Sequence, residues 1–415
     1  MHVLIFNIYF HPEPTGTGLV VGQLATDLAA MGHEVTVVTT RPHYGVDADG
    51  AKYAGRLIAE EQWEGVRVLR TGVPSWPRRG VLARAGKYLS YTLLAVPAGL
   101  RARKPDVVLC LLPPATTGIA AWLVKWWRGV PLVVNVQDVY PDSIFRSRLS
   151  ARLIGTLERV VLRSAARVTA LSEGLGHEVL ERGAVGERLD IVPMWTDTEH
   201  VRPGEKHNAF RARHSLTEKF VVLYSGNIGT FGGVGVVIQA AALLADDARV
   251  QFLVVGRGYS KRYLMDQADA LGLKNVMFLD TQPREVLPEM LAAADVSLVT
   301  LDPRLARTSV PSKAFAIMAS ARPVLAAMSQ DNEVARIVRD ADCGWCVPAD
   351  RPDEVARVIR NAMTSVDLEE MGLRGRRYVE QHHARGPLTG KHAEVLEAAI
   401  ADRKSAKIDP QQPGR

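Results

Sequence analysis

Short apolar runs alternate with amphipathic helical patterns along this chain, and they do so in two separate series. Such runs suit strands buried on both faces, the condition of a parallel sheet covered by helices. In the first series they fall at 3–8, 34–39, 66–71, 107–111, 131–136, 168–172 and 189–193. In the second they fall at 220–225, 250–255, 276–279, 296–300 and 323–327. Helical patterns fill the gaps, and the one at 19–31 is closed by Gly32, a common stop signal. The join, Arg202-Pro203-Gly204-Glu205-Lys206-His207-Asn208, is polar and rich in breakers. The pattern predicts an α/β chain of two tandem, doubly wound, Rossmann-like domains facing a cleft. The expected limits are 1–203 and 204–385, then a helix at 386–402 able to pack back on the first domain, and a disordered tail at 403–415.

Length and charge agree with that organisation. A chain of 415 residues exceeds one ordinary core. Cys110, Cys343 and Cys346 cannot build a disulfide framework, which points to a reducing, cytoplasmic setting. The start, Met1-His2-Val3-Leu4-Ile5-Phe6, lacks a basic leader region and reads as a strand. The longest apolar candidate, 88–100, is too short to span a bilayer and contains Pro97. A net charge of +6 and a pI of about 9.2 favour anionic partners in general.

Chemistry-bearing residues gather at strand ends. In Val310-Pro311-Ser312-Lys313, Ser312 reads as a helix N-cap, and Lys313 adds a cation where a helix start already favours an anion. Gly226, Asn227 and Gly229 belong to a glycine-rich turn at 226–235 whose N–H groups could approach a phosphate. Arg257 follows the 250–255 strand, at the edge where ligands collect in such sheets. In the first half, Gly16-Thr17-Gly18 opens a helix and could present N–H groups to a phosphate or sugar. A nicotinamide fingerprint fails there: a long Pro-containing loop intervenes, and the second strand ends Val38-Thr39-Thr40-Arg41 without an acid. Asp138 follows the 131–136 strand and reads either as a group that orients or deprotonates a hydroxyl or as a turn residue before Pro141. Cys343-Gly344-Trp345-Cys346 lacks the further ligands or context that zinc or redox chemistry needs, and His382-His383 reads as an exposed helix end, so no metal site is predicted.

From 65 to 105 there is no Asp or Glu. Arg67, Arg70, Arg78, Arg79, Arg84, Lys87, Arg101, Arg103 and Lys104 are interleaved there with Trp76, Tyr88, Tyr91, Leu93 and Leu94. That mixture describes an interfacial patch for an anionic membrane, extended by 121–128, although a solvated basic face reads similarly. No nucleic-acid recognition motif accompanies the charge.

These pieces, taken in order over about 1–385, resemble a family. Tyr9-Phe10-His11-Pro12-Glu13-Pro14-Thr15-Gly16-Thr17-Gly18, Met31-Gly32-His33-Glu34-Val35-Thr36-Val37 and Asn135-Val136-Gln137-Asp138-Val139-Tyr140-Pro141-Asp142-Ser143 are similar to segments of GT-B glycosyltransferases of family 4. Tyr224-Ser225-Gly226-Asn227-Ile228-Gly229 and Val310-Pro311-Ser312-Lys313 are similar to the branch that builds capsular, O-antigen and colanic-type polysaccharides. The resemblance implies a metal-independent, retaining hexosyl or N-acetylaminosugar transferase. Its donor would be a nucleotide-diphosphate sugar, with no separate cofactor. Its acceptor would be a saccharide on a polyprenyl lipid, and it would sit in the cytoplasm at the inner face of the membrane. Lys313, Arg257 and Asp138 would be catalytic; Gly16, Thr17, Gly18, Gly226, Asn227, Gly229 and Ser312 would hold the donor. Thr308 and Ala316 stand where mainstream members carry two glutamates, and Asn227 and Gly232 where they carry Arg and Lys. Glu333 would take over the ribose contact that Ala316 leaves vacant. A non-catalytic transferase-like subunit and a transferase for a soluble natural product are the alternative readings.

Overall fold

The computed structural model describes residues 1–13, 15–42, 50–53, 55–72, 81–139 and 147–408. The chain divides into two compact units, Met1–Pro193 with Gly386–Arg415, and Met194–Arg385.

The first unit is built on β1 (His2–Phe6), β2 (Glu34–Thr40), β3 (Ile58–Trp63), β4 (Val66–Thr71), β5 (Val107–Leu112), β6 (Leu132–Val136), β7 (Arg167–Ala170) and β8 (Leu189–Ile191). They lie in the order β3-β4-β2-β1-β5-β6-β7-β8. Every pairing is parallel except that of β3 with β4. The helices α1 (Gly16–Ala30), α2 (Val81–Arg101), α3 (Ala115–Arg128), α4 (Arg148–Ser164) and α5 (Glu173–Glu181) supply the connections. The central strands β1, β5 and β6 are buried along their whole length, as strands covered on both faces must be.

The second unit holds β9 (Phe220–Ser225), β10 (Val250–Val255), β11 (Val276–Leu279), β12 (Val296–Thr300), β13 (Val324–Ala327) and β14 (Gly344–Val347). Its helices are α6 (Ala209–Arg213), α7 (Gly235–Ala242), α8 (Lys261–Ala270), α9 (Leu287–Ala292), α10 (Lys313–Ala319), α11 (Glu333–Asp340), α12 (Pro352–Ala362) and α13 (Leu368–His382). The sheet is parallel throughout, in the order β11-β10-β9-β12-β13-β14. The strand order reverses between β9 and β12 here, and between β1 and β5 in the first unit. The crevice outside the carboxyl ends of the strands at such a reversal is where these sheets bind ligands.

The structure departs from the sequence reading at several points. The division falls at 193/194, earlier than the breaker-rich join. Residues just after Pro193 are tied into the second unit: Thr196 N–H donates to His383 O (2.8 Å), and Arg376 donates to Val201 O (2.7 Å) and Thr198 O (3.1 Å). A last helix, α14 (Arg385–Ile408), carries chain of the first unit, where Asp402 pairs with Arg167 at 2.9 Å. Residues 403–408 of the expected disordered tail are therefore helical, while 409–415 lie outside the described residues. His383 is buried, stacked on Phe315 at 4.3 Å, and not an exposed helix end. Within 65–105, Arg70 and Tyr91 are buried and so belong to no surface patch; Trp76, Arg78 and Arg79 lie outside the described residues, as does the side chain of Arg84.

Candidate functional site

The site is set by three loops that meet at the β9/β12 reversal. The loop after β9 begins at Gly226, whose N–H donates to Val255 O at the end of β10 (3.0 Å). Ile228 N–H donates to Arg257 O (2.9 Å), and Ser260 N–H returns to Ile228 O (3.0 Å). The two backbones touch so closely that a Cβ on Gly256 would lie 1.9 Å from Gly226 O, and one on Gly258 2.3 Å from Ile228 O. Gly256 and Gly226 both have positive φ, +145° and +141°. Glycine is thus required by the crossing of two chains, which engages the N–H groups of Gly226 and Ile228. On its other side the turn leans on the end of β12: Asp302 N–H donates to Phe231 O (3.1 Å), and Thr300 Oγ1 donates to Gly232 O.

Lys313 enters at the first residue of this turn. Its Nζ lies 3.8 Å above the centre of the Tyr224 ring and 3.4 Å from where a Gly226 Cβ would stand. Tyr224 is buried and its hydroxyl donates to Asn227 O (2.9 Å), so the ring is a fixed floor under the ammonium. Cation and ring attract. Among the described residues no carboxylate pairs with Lys313. Ser312 stands at the N-cap position as expected, but with helical dihedrals and no capping bond through its side chain, and α10 has only seven residues. The cation, more than the helix end, is what the site offers an anion.

Arg257 is exposed just beyond β10 and donates through Nε to Thr281 Oγ1 (3.1 Å). Lys313 and Arg257 therefore border the same glycine turn. Nearby carboxylates are already committed. The hydrogen bond from Lys261 holds Asp280 below the usual carboxylate range, and that from Arg304 does the same for Asp302. Glu333, which the resemblance assigned to a ribose, stands in the first turn of α11 paired with Arg336 at 2.6 Å.

Two further residues shape the loop before α10, and of these the sequence reading singles out only Thr308. Asn332 caps α11 through Val334 N–H (2.9 Å), and its amide donates to Ala306 O (2.7 Å) and Ser309 O (2.9 Å), bolting down the loop that delivers Lys313. Thr308, in that loop, is buried, and its hydroxyl has no hydrogen-bond partner. A substitution at the crossing tests the arrangement: Gly256→Ala should lower stability by at least about 1–3 kcal/mol from the left-handed backbone alone, and thermal unfolding with and without nucleotide checks it.

In the first unit the loop after β1 is held just as tightly. Arg70, fully buried, pairs with Glu61 and donates to Thr40 O (3.2 Å) and His11 O (2.5 Å), while His11 stacks on Trp63 at 4.6 Å. Gly16 and Thr17 form the first turn of α1, and Gly18 N–H is taken by its cap, Thr15 Oγ1 (3.0 Å). Asp138 stands half-buried two residues beyond β6; the segment after Val139, 140–146, lies outside the described residues. Burial pushes the Cys343 thiol up to about 12 and raises Cys346, whose thiol donates to Ala335 O (3.3 Å), and both shifts disfavour the thiolate. Among the described residues no group of three or more His, Cys, Asp or Glu could hold a metal ion, and no helix is long and apolar enough to cross a membrane.

Residues 15–195 match the Glycosyl transferase 4-like domain and 219–365 the Glycosyl transferases group 1 domain. The protein of Escherichia coli K12 assigned to colanic acid biosynthesis as glycosyl transferase WcaI is 30% identical over 333 residues, 77% of this chain and 81% of that one. The chain belongs to the family 4 glycosyltransferases. The transferase also superposes on sucrose-phosphate synthase of Thermosynechococcus elongatus with a TM-score of 0.79, at 16% identity, over 97% of this chain and 100% of that one. HepE of Anabaena, solved with UDP-glucose, gives a TM-score of 0.73 at 17% identity over 96% and 100%. These likenesses place both units in the GT-B fold.

Proposed function

We propose that this transferase moves a hexosyl or N-acetylaminosugar residue, with retention, from a nucleoside-diphosphate sugar to a saccharide carried on a polyprenyl lipid in cell-surface polysaccharide synthesis. The donor is bound by the Met194–Arg385 unit. The observation that carries this reading is the Lys313 ammonium, fixed over Tyr224 at the β9/β12 reversal with no carboxylate partner among the described residues. When the bond from the anomeric carbon to the diphosphate oxygen breaks, its electron pair stays on the diphosphate. Fixed cations placed where that charge develops lower the barrier. Lys313 does this directly and Arg257 from across the glycine turn. Asp138 orients or deprotonates the acceptor hydroxyl whose oxygen forms the new bond. The kinship with a colanic acid enzyme and the UDP-glucose held by a GT-B neighbour support a sugar nucleotide as donor. A lipid-linked acceptor puts the protein at the inner face of the membrane, with exposed basic residues of 65–105, such as Arg101, Arg103 and Lys104, toward anionic lipid.

A thermal-shift screen across UDP-, GDP- and dTDP-sugars, followed by donor hydrolysis with the responding nucleotide, tests this. One nucleotide class should raise the melting temperature and be turned over slowly. A protein that responds to none and hydrolyses none is the non-catalytic subunit instead.

A further inference from the structure

Among the described residues, nothing covers the outward face of three adjacent helices of the first unit, and it carries large apolar side chains. α2, α3 and α4 pack side by side: Thr92 Oγ1 donates to Thr116 O (3.1 Å), Lys125 Nζ donates to Ser164 O (2.6 Å), and a Cβ on Gly118 would lie 2.9 Å from Val161 Cγ1. Their inner residues, such as Ala95, Ala98, Ala121, Val124, Val161 and Leu162, are buried. Their outer ones are large and apolar. On α2, Leu89 and Leu93 are 57% and 66% exposed; on α3, Trp126 and Trp127 are each 71% exposed; on α4, Leu149 and Leu153 are 77% and 59% exposed. A single exposed leucine needs no explanation, but rows of them on three neighbouring helices mark a contact surface.

The charge on these helices says what the contact is. They carry three Lys or Arg on α2, two on α3 and four on α4, against one acid, Glu158, which is paired with Arg182 at 2.8 Å. At 3.6 residues per turn, Arg148, Arg152, Arg159 and Arg163 fall within an arc of about 60° on α4, and Leu149, Leu153 and Val160 within the next arc of about 40°. All four arginines are exposed, and none pairs with a carboxylate among the described residues. A cationic row beside an apolar row, with tryptophans at one end, is the arrangement of a helix lying in the headgroup region of an anionic bilayer. A second copy of this chain would set like charges against each other on this face.

We infer that the α2–α4 face docks on anionic phospholipid, with Trp126, Trp127, Leu149 and Leu153 entering the interface and the α4 arginines meeting headgroup phosphates. This deepens the lipid-linked reading above and rests on it only for the presence of a bilayer. It moves the contact from the 65–105 segment as a whole to α2, α3 and α4.

Vesicle flotation of the full chain tests it. The protein should float with vesicles of phosphatidylcholine containing phosphatidylglycerol and stay behind with phosphatidylcholine alone. Replacing Arg148, Arg152, Arg159 and Arg163 by glutamine should weaken partitioning by about a hundredfold or more, and Trp126→Ser with Trp127→Ser by about tenfold. Circular dichroism and the thermal shift with sugar nucleotide should match wild type in both variants. No flotation on anionic vesicles, flotation unchanged in the arginine variant, or a dimer in solution that both variants break would each overturn the inference. Loss of the nucleotide response would instead fail the donor reading and leave this one standing.

Discussion

Asp295→Ala is expected to unfold the Met194–Arg385 unit at a much lower temperature, with a loss of about 3–5 kcal/mol. Asp295 is buried just before β12 and accepts from Val221 N–H (2.8 Å), from Lys206 Nζ (2.9 Å) and from the guanidinium of Arg211. Arg211 is itself only 1% exposed, and its other donors reach Ala293 O (2.7 Å) and Lys219 O (2.9 Å). Removing the carboxylate leaves a buried cation facing carbonyls with no counter-charge, and that desolvation cost, not the lost attraction, dominates. The loss is large beside a typical total of about 5–15 kcal/mol. Differential scanning calorimetry reads it. Asp295→Asn, which keeps an acceptor for Val221, should lose less. Joint replacement by apolar residues, Arg211→Met with Asp295→Leu, should recover much of the loss. If the single variant melts like wild type, the network does not hold the unit together.

Arg211 also marks the limit of what the chain discloses. The parallel strands were legible because burial on both faces makes them continuous apolar runs, and β9, β10, β11 and β12 fall where the pattern put them. Two of the four edge strands were not. β3, Ile-Ala-Glu-Glu-Gln-Trp, is half-exposed and antiparallel, and its glutamates serve Arg67 and Arg70 across the ladder at 2.7 Å and closer. β14 has only four residues, three of them from the Cys343–Cys346 motif. α4 went unread as well, since leucines on its outer face blur the division into core and solvent sides.

For the candidate site, the separate cations and glycines were legible and their partners were not. Lys313 and Arg257 stand after strands on the same sheet edge, as their spacing implied. Nothing local in Val310-Pro311-Ser312-Lys313 says that a tyrosine from β9 lies beneath the ammonium; that follows from β9 and β12 being neighbours although distant in sequence. The turn at 226–235 reads as a phosphate contact, and nothing in it tells that its first residue crosses the backbone that follows β10. A sequence displays the missing Cβ but not the chain that passes where it would be, and here that chain is the protein's own.

The side-chain cations at this sheet edge are the groups whose removal has the sharpest consequence. Lys313→Ala should cut kcat by roughly 100- to 1,000-fold, about 2.7–4 kcal/mol at the transition state, with a smaller change in KM for the donor. The asymmetry follows from when the charge appears. The intact donor carries a diphosphate already stabilised in part by water, whereas bond breaking adds negative charge on the oxygen nearest the site. Lys313→Arg retains the charge but not the compact fit over Tyr224, and it should fall between wild type and alanine. Tyr224→Leu separates the two effects: the ammonium remains, but its floor loses the ring, so kcat should drop by about tenfold or less. Initial rates across donor concentration for the three variants decide it. Should Lys313→Ala turn over near the wild-type rate while Arg257→Ala collapses, the leaving group sits on the β10 side of the glycine turn and the assignment of Lys313 is wrong.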